Sequence, residues 1–134
     1  MDEFTFEISP KVDNNPLNTL FAAAWENYTP SDFQQVLRHS LLYVCAFRQE
    51  QIVGFVNVAW DGGIHAFLLD TTVHPDFQRQ GIGRKLVLTA VDQARQRGIE
   101  WLHVDYEPHL RVFYEQCSFR HTEAGLMNLT AFGN

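Results

Sequence analysis

The spacing of apolar residues along this chain changes abruptly at Gly81. Before it, three strand-like runs follow one another at residues 42–47, 52–59 and 64–73. After it, apolar residues recur along one face of a long helix, from Ile82 to Ala94. The turns between the runs are short, and Asp61-Gly62 in the second turn is typical of a β-hairpin. The sequence therefore predicts an antiparallel meander that leads directly into a helix.

Further elements are predicted on both sides of this segment. Apolar and polar residues alternate over residues 4–8, which predicts a short strand. Asn15 with Pro16 marks the start of a helix that runs to about residue 26. Ser31 with Gln34 forms a capping box for a shorter helix. Strands are expected at residues 101–106, 119–121 and 126–129, with a short helix after Pro108. Strands and helices in this order predict a mixed sheet with helices, an α/β or α+β fold, and 134 residues favour a single domain over residues 1–134.

Composition restricts the class of protein. A chain that is 46% hydrophobic has enough apolar surface for a packed core, and a formal net charge of −6 argues against a general nucleic-acid binder. Cys45 and Cys117 do not form a CxxC pair, so buried free thiols are expected rather than a metal site. The sequence contains no membrane-length apolar stretch and begins with Met1-Asp2-Glu3, unlike a signal peptide. We therefore expect a soluble, cytoplasmic protein without a membrane partner.

Residues 73–84 are the most informative segment for function. Two glycines, Gly81 and Gly83, allow a sharp turn at the start of the long helix, where free amides and the helix dipole favour an anion such as a diphosphate. A dinucleotide-binding fingerprint is excluded because Leu86 stands where a third glycine would be needed, and the Gly-Lys-Ser/Thr of nucleotide hydrolases is missing. A bare Gly-x-Gly is also compatible with a helix that is merely capped and packed.

Two motifs resemble the GNAT superfamily of N-acetyltransferases. Residues 78–83, Gln-Arg-Gln-Gly-Ile-Gly, match its Q/R-x-x-G-x-G/A motif, and residues 113–119, FYEQCSF, are similar to its second motif, FYExxGF. The resemblance covers residues 44–119 and implies the GNAT fold, a mixed and mostly antiparallel sheet flanked by helices. Two departures stand out: Glu107 replaces an asparagine that contacts coenzyme A in many members, and Ser118 replaces a glycine, which suggests a different turn.

The resemblance implies an acetyl-coenzyme A-dependent transferase without a metal. Loop amides would hold the diphosphate of the cofactor, the end of the preceding strand would bind the pantetheine arm, and the acceptor amine would attack directly in a ternary complex. The implied cofactor-binding residues are Thr71, Thr72, Val73, Gln78, Arg79, Gln80, Gly81, Ile82, Gly83 and Arg84.

Tyr114 occupies the position of the general acid in the family. A phenol with a pKa of about 10 can assist the departure of a thiolate whose parent thiol has a pKa of about 8.5. Tyr114 also lies four residues after Leu110 on one helical stripe, which is the pattern of a core residue.

The general base is less well defined by the sequence. Asp70, on the strand before Val73, is favoured narrowly over His103 on the following strand, with His65 and His74 as further candidates. Strand alternation places Asp70 and Val73 on opposite faces unless a β-bulge intervenes.

The acceptor is predicted to be a small-molecule or peptide amine. In the family the acceptor pocket is built around the first two helices, so Trp25, Tyr28 and Trp60 are candidates for its wall. The alternative is that they pack in the core or on a hairpin, and for Trp25 this alternative is favoured. Two other functions remain open: transfer of another acyl group such as succinyl, and a non-catalytic coenzyme A sensor of the same fold. A homodimer is also possible for a member of this family.

Overall fold

The first part of the chain contains a five-stranded sheet. The computed structural model describes residues 3–130. The strands are β1 (Thr5–Ile8), β2 (Ser40–Arg48), β3 (Gln51–Trp60), β4 (His65–Val73) and β5 (Trp101–His103), in the spatial order β1-β2-β3-β4-β5. Neighbouring strands are antiparallel except β4 and β5, which are parallel. The predicted meander and the mixed, mostly antiparallel sheet are confirmed.

Helices cover both faces of this sheet. They are α1 (Asn14–Ala24), α2 (Phe33–Leu37) and α3 (Ile82–Gln96). Successive residues of a strand point to opposite faces, and β3 shows which helix lies on each. Gly54 faces Ile82 and Leu86 of α3, whereas the ring of Phe55 lies 5.7 Å from that of Phe21 in α1.

An aromatic cluster joins α1 and α2 to the sheet. The ring of Phe21 lies 5.0 Å from that of Phe33, and all three rings of Phe21, Phe33 and Phe55 are buried. Edge-on and tilted contacts of this kind stabilise aromatic cores beyond the area that they bury. The cluster fixes the first two helices on the face opposite α3.

The first two helices begin at positions other than the predicted ones. The N-cap of α1 is Asp13 rather than Asn15, and that of α2 is Asp32 rather than Ser31. The side chain of Asp32 accepts a hydrogen bond from the amide of Gln34, while the amide of Ser31 is held by the side chain of Asn18. The predicted capping box is therefore wrong: the amide of Ser31 is bound by Asn18 of α1, and Asp32 caps α2 instead.

Residues 105–130 form a second compact unit, separated from the first at Val104 and Asp105, and each unit is described by itself. This unit contains a short 3-10 helix, Pro108–Leu110, followed by α4 (Arg111–Gln116). The single-domain assignment of residues 1–134 stays a prediction.

The two closing strands expected at residues 119–121 and 126–129 are wrong, because residues 119–130 contain no strand. Leu126, Met127 and Leu129 are 85%, 70% and 87% exposed, so their spacing does not correspond to a buried face. Strand propensity depends on a partner strand and a packed face, and neither is visible in a local pattern. The strand predicted at 101–106 also ends early, at His103.

Within residues 3–130, no helix combines the length and the apolar character that crossing a bilayer requires.

Candidate functional site

The loop between β4 and α3 presents backbone amides at the start of the helix. Gly81 is the N-cap of α3 with φ of 81°, a left-handed conformation that glycine adopts without steric cost. The first amide to bond back along the helix is that of Lys85, which donates to the carbonyl of Gly81 at 3.1 Å. The amides of Ile82, Gly83 and Arg84 precede that bond, so they lie in the turn where a helix leaves its N–H groups without intrahelical partners.

Charge at this turn is positive. Arg84 and Lys85 belong to the first turn of α3, both side chains are exposed, and the turn contains no acidic residue. Cations at the positive end of a helix dipole are unfavourable for the helix itself, and a bound anion would offset that cost. The turn therefore has the donors and the charge that a diphosphate requires.

Hydrogen bonds within the loop and to the neighbouring strands hold the loop in place. Gln78 donates its side-chain amide to the carbonyl of Val73 at 3.1 Å, and the imidazole of His74 accepts from the amide of Asp76 at 3.1 Å. The amide of His74 itself donates to the carbonyl of Val53 at 2.8 Å. His74, one of the four base candidates, thus caps the short 3-10 helix Pro75–Phe77, and Gln78 braces the loop.

Close packing determines the height of α3 above the sheet. A Cβ atom at Gly54 would lie 2.9 Å from Cδ1 of Leu86, closer than real Cβ contacts come, and 3.1 Å from Cγ2 of Ile82, tighter than most such contacts. Ile82 and Leu86 are both buried. The glycine at position 54 therefore allows the start of α3 to approach β3, a role that the sequence analysis did not identify.

A β-bulge interrupts β4 at Asp70 and Thr71. Phe55 pairs with Thr72 and Asn57 with Leu69, so two steps on β3 correspond to three steps on β4. Asp70 has φ of 60°, in the left-handed region that few non-glycine residues occupy. The sequence left open whether a bulge intervenes between Asp70 and Val73, and the structure contains one. Because the extra residue reverses the faces of the positions that follow it, simple alternation no longer places these two residues on opposite faces of the sheet.

Partial burial acts on the Asp70 carboxylate. The residue is exposed as a whole, yet the protein atoms around its carboxylate desolvate it and raise its pKa above the usual value. A raised pKa makes a carboxylate a stronger proton acceptor once it is ionised.

Trp25 connects the end of α1 to the bulge. It is the C-cap of α1, and its indole N–H donates to the hydroxyl of Thr72 at 3.1 Å. The same hydroxyl donates to the carbonyl of Asp70 at 2.8 Å. Thr72 was predicted to bind the cofactor through its backbone; its side chain is buried and helps to hold the bulge.

His65 and His103 form a pair on β4 and β5. Nδ1 of His65 lies 2.9 Å from Nε2 of His103, and the His103 ring stacks on Phe67 at 4.8 Å between centroids. A hydrogen bond between two neutral imidazoles contains one proton, so one outer nitrogen of the pair accepts and the other donates. Phe67, which pairs with His103, precedes Asp70 by three residues, roughly 10 Å of extended strand. The structure therefore joins two of the base candidates and keeps them apart from Asp70.

The aromatic residues proposed for the acceptor wall do not share one face. Trp60 is on the same face of β3 as Gly54, toward α3, whereas Trp25 and Tyr28 contact Phe21 on the α1 face. Trp60 is therefore separated by the sheet from Trp25 and Tyr28.

Tyr114 lies in α4 of the second unit, within an aromatic group. It is 6% exposed, its ring stacks on Tyr106 at 5.0 Å, and it meets Phe119 edge-on at 5.8 Å. Ser118 has φ of 74°, the left-handed conformation that glycine favours, so the turn that follows α4 keeps a glycine-like backbone despite the serine. The expected change of turn at Ser118 is therefore not supported.

The surroundings of Cys45 do not activate it as a nucleophile. Cys45 and Cys117 are buried and form no disulfide, as predicted. Burial, with a smaller contribution from the charge of Glu7, raises the pKa of the Cys45 thiol to about 12. Among residues 3–130, no group of three or more His, Cys, Asp and Glu side chains is placed to hold a metal ion.

Comparison with known proteins matches the model of the acetyltransferase (GNAT) family to residues 10–119. One relative, an uncharacterized N-acetyltransferase ycf52 of Porphyra purpurea, is 30% identical over 62% of this chain and 50% of its own length. The chain spans about half the length of the curated relatives that it matches in this way.

Solved structures share the fold. A GNAT family acetyltransferase from Streptococcus pneumoniae TIGR4 is 25% identical, covers 95% of this chain and 99% of its own, and gives a TM-score of 0.75. The aminoglycoside N-acetyltransferase AAC(6′)-Iy in complex with CoA gives the same TM-score at 16% identity, covering 96% of this chain and 95% of its own. The predicted fold is confirmed.

Proposed function

This chain belongs to the acetyltransferase (GNAT) family, a family of acyltransferase enzymes, and from this premise we propose that it transfers an acetyl group from acetyl-coenzyme A to a primary amine. The family match confirms the resemblance seen in the two motifs. One observation carries the proposed use of acetyl-coenzyme A: the first turn of α3 combines amides that have no helical partner with two cations and no acid.

The cofactor fits the residues present at this turn. We assign the diphosphate to the amides between Arg79 and Arg84, with the Arg79 and Arg84 side chains as additional donors. The pantetheine arm would bind along Thr71, Thr72 and Val73. Acetyl-coenzyme A, when bound, supplies an activated acyl group as a thioester. A CoA complex of a structural neighbour, AAC(6′)-Iy, supports this choice of cofactor.

The bulge at Asp70 is the proposed position of the reacting carbonyl. A bulge turns backbone N–H groups out of the strand ladder, and such donors stabilise the negative charge that develops on a carbonyl oxygen during acyl transfer. The bonds from Trp25 through Thr72 to the Asp70 carbonyl hold this backbone in place.

Proton transfer is assigned to three positions. Asp70, whose pKa is raised by desolvation, is the proposed base for the amine, with His103 and its partner His65 as the alternative. Tyr114 is the proposed general acid for the thiolate, on the strength of its motif. Direct attack by the amine leaves the protonated thiol of Cys45 without a catalytic role.

The acceptor is proposed to be a small-molecule or peptide amine approaching the α1 face of the sheet, where Trp25 is partly exposed. Neither nucleic acid nor membrane is proposed as a partner, and we propose cytoplasmic action, with a homodimer as the assembly to be tested.

Amine-dependent release of free thiol from acetyl-coenzyme A, measured with a panel of amines, tests this function. Tyr114→Phe should lower kcat by about 100-fold while leaving acetyl-coenzyme A affinity unchanged. Gly83→Asp, which places negative charge beside the diphosphate, should abolish cofactor binding in a folded protein, whereas the matched variant Gly125→Asp should not.

The other outcomes identify the alternatives. Binding of acetyl-coenzyme A without thiol release with any amine would indicate a sensor of the same fold. Turnover with succinyl-coenzyme A but not acetyl-coenzyme A would indicate a different acyl group. Unchanged affinity in folded Gly83→Asp would refute the diphosphate site.

A further inference from the structure

The ring of Tyr114 is packed against aromatic rings that come from both sides of α4. Tyr106, which precedes the helix, stacks on Tyr114 at 5.0 Å between centroids and 19° between ring planes. Phe119, which follows the helix, meets it edge-on at 5.8 Å, and the adjacent Phe113 does so at 4.9 Å. Phe113 and Phe119 belong to the second motif, whereas Tyr106 lies outside both motifs. The face-on contact of Tyr106 is therefore one that the motifs do not indicate.

Backbone hydrogen bonds bring these rings together. The amide of Leu110 donates to the carbonyl of Glu107 at 2.9 Å, which closes the short 3-10 helix directly after Tyr106. The amide of Phe119 donates to the carbonyl of Tyr114 at 3.0 Å and reverses the chain after α4. The segments before and after α4 thus fold back onto the helix.

Tyr106 is itself anchored at its outer end. Its hydroxyl lies 3.1 Å from Nδ1 of His121. A phenol donates to an imidazole nitrogen without a proton and accepts from one that has a proton, so the bond forms in either protonation state of His121. The bond connects position 106 to position 121, beyond the far end of α4, and holds the half-buried Tyr106 ring against Tyr114.

This stacking limits the movement of the Tyr114 hydroxyl. The hydroxyl oxygen of a tyrosine lies on the Cβ–Cγ axis, so ring flips leave it in place and only a swing of the whole side chain moves it. A ring packed flat against one face blocks a swing towards that face. Tyr114 is only 6% exposed, so removal of the Tyr106 ring would open space in packed surroundings. Displacement of a catalytic group by about 1 Å can cost on the order of 100-fold in rate.

We propose that Tyr106 is a positioning residue that holds the Tyr114 phenol in the orientation in which it donates its proton. In that step the C–S bond of the thioester breaks, its electron pair stays on sulfur, and the phenol proton moves to the sulfur; the phenolate then recovers a proton from solvent. The inference rests on the proposed function, because it requires Tyr114 to be the general acid. Tyr106 acts through Tyr114 alone.

A double-mutant cycle separates positioning from a merely structural role. The rate of thiol release is measured in a single turnover, with the amine of the panel that reacts fastest, so that product release does not mask the chemical step. Tyr106→Leu should lower this rate by about tenfold, less than the loss of about 100-fold expected for Tyr114→Phe. In the Tyr114→Phe background the ring still stacks but has no hydroxyl to orient, so the same change should cost less than about twofold. Affinity for acetyl-coenzyme A should stay the same throughout the cycle.

Control variants fix the interpretation. Tyr106→Phe keeps the stacked ring and loses only the bond to His121, so it should retain the rate within about threefold. Val112→Ala truncates an α4 side chain that is 63% exposed and should leave the rate unchanged in both backgrounds. Tyr106→Met replaces Tyr106→Leu in the cycle if the leucine variant does not fold.

An equal loss from Tyr106→Leu in both backgrounds would show a structural role and overturn the inference. So would an unchanged rate in Tyr106→Leu, or a loss in Tyr106→Phe as large as that in Tyr106→Leu. A slow Tyr114→Phe enzyme beside an unaffected Tyr106→Leu enzyme would refute this inference alone. Full activity in Tyr114→Phe would remove the proposed general acid and this inference with it. If no amine released thiol from acetyl-coenzyme A, the proposed function itself would fail.

Discussion

Gly54→Ala tests the claim that close packing between β3 and α3 positions the proposed cofactor site. The new methyl group would lie 2.9 Å from Cδ1 of Leu86, where carbon atoms normally rest ~3.5–4.0 Å apart. Relief by movement of the helix alone would therefore require a shift of roughly 0.5–1 Å. Leu86 is fully buried, so its side chain has little room to turn away.

The magnitude follows from two opposing effects. Overpacking of this kind costs about 1–3 kcal/mol, while replacement of glycine in a strand returns about 0.5–1 kcal/mol of backbone entropy. We expect a net loss of about 1–2 kcal/mol in the free energy of unfolding. For a chain of 134 residues that corresponds to a fall in Tm of roughly 3–10 °C.

The shift should also reach the amides of the first turn of α3. Hydrogen bonds to a diphosphate require distances of ~2.7–3.2 Å, so a helix displaced by half an ångström or more should bind coenzyme A more weakly. Thermal unfolding and calorimetry measure the two effects. Gly125→Ala is the matched control, because a Cβ atom there meets nothing within 4 Å.

A double-mutant cycle with Leu86→Ala provides the refutation. Removing the leucine side chain costs about 2–5 kcal/mol by itself but also removes the closest clash, so the double variant should lose less stability than the sum of the single variants. Additivity within about 0.5 kcal/mol, or coenzyme A affinity unchanged in Gly54→Ala, would show that the contact does not position α3.

Two further predictions concern residues with left-handed backbone. Because desolvation raises the pKa of Asp70 in the folded protein, folding favours the protonated carboxyl, and stability falls as pH rises from the unfolded pKa through the folded one. Asp70→Asn should therefore be more stable than wild type at pH 7 and lose that advantage near pH 3, as measured by urea unfolding. Asp76→Asn is the control, because the side chain of Asp76 is 82% exposed. An equal effect in the control would contradict the prediction. Ser118→Gly should raise Tm. Removing Cβ at φ of 74° relieves about 1–2 kcal/mol of backbone strain, and the entropy cost of introducing a glycine is smaller. An unchanged or lower Tm would show that the backbone at Ser118 is not strained.

The spacing of apolar residues predicted the strands and helices of the first unit well, because the way each element packs agrees with its local sequence pattern. The runs on β2, β3 and β4 are bounded by short turns and buried by helices, so their apolar spacing corresponds to real packing. Residues 126–129 have similar composition but no strand partner, and the same reasoning failed there.

The candidate site was predictable where a motif determines backbone shape. Gly81 and the positive first turn of α3 were identified from sequence alone. The His65–His103 contact depends on which strands are neighbours, and the role of Gly54 depends on the distance between a strand and a helix. The histidine contact leaves no local signal, whereas a glycine within an otherwise apolar strand often marks a close approach.

Trp25, the C-cap of the first helix, helps to hold the backbone proposed to bind the reacting carbonyl. Through one indole proton and one hydroxyl proton it ties a helix end to a bend in a strand. An acceptor that pressed on the exposed part of the indole would pull on both bonds, so occupancy of the amine side would be transmitted mechanically to the backbone proposed to stabilise the oxyanion. Substrate fit and catalytic alignment would then be governed by the same side chain.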